Sequence, residues 1–88
     1  MLNKQTFVCP VCGYDGLREQ PRDNTGSPSF EICPSCGTEY GYHDATRSHA
    51  ELRREWLQAG APWRHPETPP PPGWDPREQL KRANLIDQ

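Results

Sequence analysis

The sequence lacks any long hydrophobic run. Only 32% of its 88 residues are hydrophobic, and no stretch approaches the roughly 20 apolar residues that a membrane-spanning helix needs. The first five residues contain no apolar run of the kind found in a secretory signal peptide. We therefore expect a protein with no membrane association that stays in the cytoplasm, where thiols are kept reduced.

An excess of basic residues is also missing. Ten lysine and arginine residues stand against twelve aspartate and glutamate residues, which gives a formal net charge of −2. A divalent cation held by four thiolates would lower that total to about −4. Phosphate recognition draws on clustered lysine and arginine, so the composition argues against a nucleic-acid partner.

A chain of this length is expected to form one domain with a thin core. Domains this small bury only about 60% of the surface that their unfolded chains expose, and they usually depend on a metal, on disulfides or on a partner. Four cysteines could supply the cross-link. In a reducing compartment, paired cysteines bind metal more often than they form disulfides.

The cysteines lie in two segments that are nearly identical. Two residues between the cysteines of a pair let both sulfur atoms reach one ion, and the proline after the first cysteine restricts the turn. The glycine after the second cysteine permits a positive φ. The segments read Cys9-Pro10-Val11-Cys12-Gly13-Tyr14 and Cys33-Pro34-Ser35-Cys36-Gly37-Thr38.

The separation between the two pairs predicts a zinc site. Twenty residues lie between Cys12 and Cys33, within the range of sites built from two such pairs. A tetrahedral zinc ion has sulfur ligands at about 2.3 Å and no open position, which makes the site structural. The predicted zinc ligands are Cys9, Cys12, Cys33 and Cys36.

Two alternatives use the same cysteines. The segment from Cys9 to Gly16 resembles the first metal-binding turn of rubredoxins, and four thiolates hold iron as well as zinc; the protein would then be an iron electron carrier. The long segment between the two turns of rubredoxins and the aromatic residues around their iron are not matched here. A redox-active dithiol needs its motif at a helix N-terminus within a βαβ unit, and neither pair has that context.

Nothing in the sequence indicates a catalytic site. His43, His49 and His65 show no ligand spacing for a second metal, and His49 lies on the apolar stripe of a predicted helix. A zinc-bound thiolate is occupied and there is no fifth cysteine, so a cysteine nucleophile is not available. We therefore expect no enzymatic activity.

The predicted fold is a small α+β domain over residues 1–88, stabilised by metal. Residues 1–43 are expected to form a zinc ribbon with two cysteine knuckles and short strands, followed by an amphipathic helix over 44–60. A proline-rich strap over 61–74 and a short C-terminal helix over 75–86 complete the chain. Between the knuckles, the turn-forming residues 20–29 indicate a solvent-exposed loop.

Local signals fix the ends of these elements. Ser48 and Glu51 have the form of a capping box, and Gly60 is a helix stop. Asp75 and Pro76 read as the N-cap and the first-turn proline of the C-terminal helix. Short strands are expected at 6–8 and at 30–32, where the sequence leads into each cysteine pair.

Two tryptophans flank the proline-rich strap. We expect Trp63 and Trp74 to hold it against the ribbon or the first helix. The alternative is that they contact another protein, or a second copy of the chain in a homodimer. The pair Arg53 and Arg54 reads as an ordinary solvated helix face.

Together these residues resemble a family of small bacterial cysteine-rich proteins named for a Cys-Pro-Cys-Cys motif. The resemblance covers both cysteine segments, residues 52–63 and residues 72–80, and the last two carry most of its specificity. The third position of the motif is cysteine in the family and Val11 or Ser35 here, so only the outer ligands remain. The resemblance implies a zinc-binding fold and, for some members, an association with toxin and immunity loci, but no reaction.

From the sequence we expect a zinc-stabilised module that binds another protein and inhibits or regulates it through the helix and the strap. A nucleic-acid-binding zinc ribbon and a rubredoxin-like iron carrier are the alternatives.

Overall fold

Two short helices and a series of turns make up the fold. The structure is a computed structural model that describes residues 5–86, so the first four residues of the predicted ribbon and the last two of the chain lie outside it. Helix α1 spans His49–Gln58, helix α2 spans Pro76–Arg82, and a 3-10 turn at His43–Ala45 precedes α1. Within the described residues, no helix is both long enough and apolar enough to cross a membrane.

The predicted strands at 6–8 and 30–32 are reduced to single bridges. Phe30 has a left-handed φ of 63°, which prevents an extended strand from reaching the second cysteine pair. Each cysteine turn also reverses the chain directly after its bridge. The isolated antiparallel bridges of residues 5–86 join Phe7 to Leu17, Arg22 to Pro28 and Ile32 to Glu39.

The first helix is shorter than the predicted range of 44–60. It starts at His49 because Ser48, the preceding residue, is the N-cap and forms a capping box with Glu51. Glu51 N donates to Ser48 Oγ at 3.0 Å, and Ser48 N donates to the Glu51 carboxylate at 2.8 Å. Asp44 lies instead in the 3-10 turn. The capping signal in the sequence thus marks the true start of the helix.

One face of α1 contributes to the core. Leu52 and Trp56 are buried and Leu57 is half-buried, as the spacing of apolar residues predicts. The Trp56 indole Nε1 donates to the Pro62 carbonyl at 2.8 Å. This hydrogen bond attaches the start of the strap to the helix.

Asp44 attaches the loop between the cysteine pairs to α1. Its side chain is only 1% exposed, and it accepts hydrogen bonds from Arg22 Nη2 (2.9 Å), Gly41 N (2.7 Å) and His49 Nε2 (3.0 Å). Burial opposes ionisation, but the bonds from Arg22, Gly41 and His49 outweigh it and hold the pKa of Asp44 below its usual value. Arg22 belongs to segment 20–29, so that loop is anchored rather than simply solvated.

The second helix begins where the sequence predicts. Arg77 N donates to the Asp75 carboxylate at 2.9 Å, and Pro76 is the first helical residue. The helix stops at Arg82 and does not extend to 86, because Asn84 adopts a left-handed φ of 58°.

The core is centred on the cysteines. All four are buried, and so are large side chains from the first cysteine turn, from the residues that follow each turn and from α2. The largest fully buried side chains are Tyr40, Leu17, Leu80 and Val11. The hydrophobic core and the cysteine cluster are therefore one unit.

Two glycines with similar backbone angles provide a test of this packing. Gly13 (φ 89°) and Gly26 (φ 86°) both lie in the left-handed region. A Cβ at position 13 would stand 2.6 Å from the Gln79 carbonyl oxygen, whereas one at position 26 would meet nothing within 4 Å. Gly26→Ala should therefore lower the free energy of unfolding by about 1 kcal/mol, the cost of the left-handed backbone alone. Gly13→Ala has the same backbone cost, and the steric clash should add about 1 to 3 kcal/mol to it.

Chemical denaturation of both variants, loaded with metal, measures the difference. Equal destabilisation by the two substitutions would show that α2 does not lie against the first cysteine turn.

Candidate metal centre

The two cysteine pairs lie in turns with the same backbone hydrogen bonds. In the first turn, Gly13 N donates to the Cys9 carbonyl at 2.9 Å, and Cys9 N donates to the Tyr14 carbonyl at 2.7 Å. The glycine of each turn has a positive φ, as the sequence predicts. The second turn repeats both bonds, from Gly37 N to Cys33 O at 2.8 Å and from Cys33 N to Thr38 O at 2.9 Å.

The turns bring four sulfur atoms together. All four Sγ atoms lie within 4.8 Å of one another. Two contacts join one turn to the other, Cys9 Sγ to Cys36 Sγ and Cys12 Sγ to Cys33 Sγ, each at 3.7 Å. A tetrahedral ion with metal–sulfur bonds of about 2.3 Å would separate its sulfur ligands by about 3.8 Å. The cluster therefore has the dimensions of a four-sulfur metal site and could hold a metal ion.

The sulfur atoms also make hydrogen bonds with their surroundings. The Tyr40 hydroxyl lies 2.5 Å from Cys9 Sγ, and Val11 N donates to the same sulfur at 3.4 Å. Cys36 Sγ lies 3.3 Å from the Thr38 hydroxyl. Such partners fix the orientation of thiolate ligands and offset part of their charge.

A cation would resolve the charge balance of this cluster. Burial alone would raise the pKa of Cys9, but hydrogen bonds from the other three cysteines and from Tyr40 outweigh it and lower that pKa far below the usual value. The pKa of Cys33 is strongly raised by its hydrogen bonds with the neighbouring thiols and by burial. Ionisation of all four thiols in so small a buried space needs a positive ion at the centre, because the thiolates would otherwise repel one another.

Arg53 of α1 supports the first cysteine turn. Its Nε donates to the Val11 carbonyl at 2.9 Å and its Nη2 donates to the Pro10 carbonyl at 2.7 Å. The sequence-based interpretation of Arg53 as part of a solvated face was wrong, because its guanidinium satisfies two carbonyl groups of the turn. Arg54, by contrast, is exposed.

Gln79 of α2 connects the two turns. Its Nε2 donates to the Cys12 carbonyl at 3.1 Å and to Ser35 Oγ at 3.0 Å, and its Oε1 accepts from Trp74 Nε1 at 2.9 Å. The side chain is 4% exposed. Every polar atom of this buried amide therefore has a partner, and two of those partners belong to different cysteine turns.

The third position of each motif is part of the core. Val11 and Ser35 are both fully buried, and Ser35 Oγ is the group that accepts from Gln79. These positions, cysteine in the Cys-Pro-Cys-Cys pattern, are thus used here for packing and for one hydrogen bond.

Backbone hydrogen bonds attach the start of the strap to the second turn. Arg64 N and His65 N both donate to the Pro34 carbonyl, at 3.1 and 2.9 Å. The strap therefore follows the second cysteine turn directly after leaving α1.

The aromatic side chains attach the strap to the first turn. Trp63 contacts Tyr14 and Trp74 edge to face, with ring centroids 5.8 and 5.3 Å apart. Trp63 Nε1 also donates to the Thr68 carbonyl at 2.6 Å. Both tryptophans are half-buried, so they hold the strap in place and still present part of their rings to solvent.

Sequence reasoning missed the residues that contact the cysteine turns from distant parts of the chain. Gln79 and Arg53 reach carbonyl groups 67 and 42 residues away along the chain, and no local pattern indicates such contacts. Arg53 has one weak signal, since it follows Leu52 at the border of the apolar stripe.

Two proteins of Bacillus subtilis (strain 168) are similar to this chain. It is 32% identical to the uncharacterized protein YoaQ over 99 residues, which covers 94% of this chain and 78% of YoaQ. It is also 32% identical to the uncharacterized protein YozI over 97 residues, covering 91% of this chain and 74% of YozI. The chain belongs to the family of small proteins that contains YoaQ and YozI. No family model matches the sequence, and no solved structure matches the chain.

Gln79 offers a test of how far the cluster depends on α2. Gln79→Ala leaves the half-buried Trp74 Nε1 and the Cys12 carbonyl without their partner, so the free energy of unfolding should fall by about 2 kcal/mol. The bound metal should also be lost to a chelator faster. The matched control, Gln58→Ala at the exposed end of α1, should change stability by less than about 0.5 kcal/mol.

Denaturation and the rate of metal transfer to a coloured chelator measure the two effects. If both variants behave alike, Gln79 does not hold the cysteine turns together.

Proposed function

We propose that this protein is a zinc-stabilised interaction module, with Cys9, Cys12, Cys33 and Cys36 as the four ligands of one zinc ion. The observation that carries this proposal is the set of sulfur positions, with contacts of 3.7 Å between the two turns. That spacing suits the tetrahedral sulfur geometry that zinc prefers in structural sites. On this proposal, the two cysteine turns are the knuckles of a zinc ribbon.

The proposed zinc has a structural role. Four protein ligands leave no open position for water or substrate, so the ion supplies folding energy and not chemistry. Apparent zinc binding energies of about 10 to 16 kcal/mol in finger peptides exceed the whole stability expected of a domain this small. We accordingly propose no enzymatic activity.

The proposed role is regulation of another protein in the cytoplasm. A small domain whose helices and strap are all attached to one metal site presents a rigid surface, and rigid surfaces bind with little loss of entropy. The partly exposed rings of Trp63 and Trp74 suit contacts with a partner, because aromatic side chains are enriched at such interfaces. The resemblance to Cys-Pro-Cys-Cys proteins adds an immunity-like role as the biological setting.

Iron is the second candidate metal. Four thiolates at these distances hold iron as well as zinc, and the protein would then be an electron carrier. Iron–thiolate sites absorb visible light whereas zinc, a d¹⁰ ion, does not, so the spectrum of natively purified protein separates the two candidates.

Cys33→Ser tests the structural role of the metal. The variant loses one of four ligands in a fully buried position, so we expect an unfolded or aggregating protein that holds less than one metal ion per chain. Native mass spectrometry and circular dichroism measure both properties. The wild-type protein should carry one zinc ion, unfold on treatment with a chelator and refold when zinc is returned.

A metal-free Cys33→Ser monomer with the native spectrum would refute the proposal. A coloured wild-type protein with one iron per chain would replace it with the electron-carrier alternative.

A further inference from the structure

A cleft opens beside the second cysteine turn. It lies between that turn, helix α1 and the start of the strap, and its volume is about 620 Å³. Pockets that bind small ligands or short peptide segments have volumes of about 300 to 1,000 Å³. Cys33 and Cys36 contribute to its lining. The cleft therefore directly adjoins the candidate metal centre.

The floor of the cleft is apolar. Ile32, Pro34, Leu52 and Trp56 contribute to its lining. Ile32 is 57% exposed, although it lies between two residues, Glu31 and Cys33, whose backbone groups are bonded to the turn. An isoleucine exposed to this degree beside a cleft is well suited to cover an apolar side chain of a ligand.

The backbone of Ile32 is also available. Glu31 O accepts from Tyr40 N at 3.2 Å, and Cys33 N donates to Thr38 O at 2.9 Å. In an antiparallel pair the residue between two such bonded positions directs its N–H and C=O away from the partner. Within residues 5–86 these two groups of Ile32 make no hydrogen bond, so an extended segment lying along the cleft could bond to them.

The rim of the cleft is basic. His43, Arg47, Arg64 and His65 line it, and Glu55 is its one acidic side chain. Glu55 is already paired with Arg47. Across the described residues Arg64 takes part in no ion pair. With Arg47 paired to Glu55, Arg64 supplies the uncompensated positive charge of the described lining, on a chain with a formal net charge of −2.

Arg64 is held in position although its head group is exposed. Its backbone N–H donates to the Pro34 carbonyl at 3.1 Å. Its Cβ and Cγ lie against Gly37, close enough that a Cβ on that glycine would approach them to 3.2 and 3.0 Å. The stem of the side chain therefore rests on the second cysteine turn, so fewer of its rotatable bonds must be ordered when the guanidinium binds a carboxylate.

We propose that this cleft binds an extended segment of a partner protein in which an acidic residue lies next to apolar residues. One carboxylate binds Arg64, and a neighbouring apolar side chain covers the exposed side chain of Ile32. The inference rests on the proposed role as an interaction module, and it names the surface and the chemistry of the partner. A nucleic acid fits less well, because the floor is apolar and phosphate chains are bound by many lysine and arginine residues at once.

The test uses two peptides that differ only in charge. Acetyl-Leu-Glu-Leu-Glu-Leu-amide is the acidic probe and acetyl-Leu-Gln-Leu-Gln-Leu-amide is its neutral match. Each is titrated into ¹⁵N-labelled, metal-loaded, full-length protein and followed by two-dimensional NMR. The acidic peptide should shift the amide signals of Ile32, Gly37 and Arg64 and the indole signal of Trp56, and should bind at least about tenfold more tightly than the neutral one.

Two arginine variants provide the matched comparison. Arg64→Gln should remove the preference for the acidic peptide, since it removes the unpaired guanidinium. Arg54→Gln removes an equally exposed charge on α1 that does not line the cleft, so the preference should remain within about twofold. The NMR spectra also report whether each variant is folded.

Several results would overturn the inference. These are equal affinity for both peptides, shifts confined to other surfaces, loss of the preference in both arginine variants, and no shift at about 1 mM peptide. In each case the protein would still be folded with its metal bound, so the zinc proposal would stand. Failure of the zinc proposal would appear separately, as metal-free or iron-containing protein before any peptide is added.

Discussion

Burial of four thiols within 4.8 Å of one another is the constraint around which this chain of 88 residues is organised. Four thiolates buried this close together repel one another and lose the hydration that stabilises their charge. A divalent cation removes that conflict and joins the two turns through their sulfur atoms. The proposed zinc ion therefore replaces the large hydrophobic core that so short a chain cannot form.

Each later element of the chain makes a contact with the cysteine turns. Arg53 of α1 bonds to the first turn, the backbone of Arg64 bonds to the second, and Gln79 of α2 bonds to both. These contacts explain how the helices and the strap have fixed positions in a fold that has single bridges in place of strands. The turns provide the fixed frame, and the helices and the strap are ordered by attachment to it. The same attachment places the stem of Arg64, which forms no ion pair with the described residues, against the second turn at the cleft.

Local signals in the sequence predicted the features that depend on neighbouring residues. The repeated cysteine motif, the capping box at Ser48 and the proline start of α2 all appear where they were expected. Features that depend on distant residues were not predictable. Nothing near Gln79 indicates that its amide is buried between two turns, and nothing near Asp44 indicates that Arg22 reaches it. The strands were overestimated because alternation in the sequence does not reveal the left-handed backbone of Phe30.

X-ray absorption at the metal edge of the purified protein tests the central claim most directly, because it counts the atoms bound to the metal. We predict zinc with four sulfur neighbours at about 2.3 Å and no lighter ligand. Zinc with nitrogen or oxygen among its neighbours, or with fewer than four sulfur atoms, would contradict the claim that these cysteines together form one closed structural site.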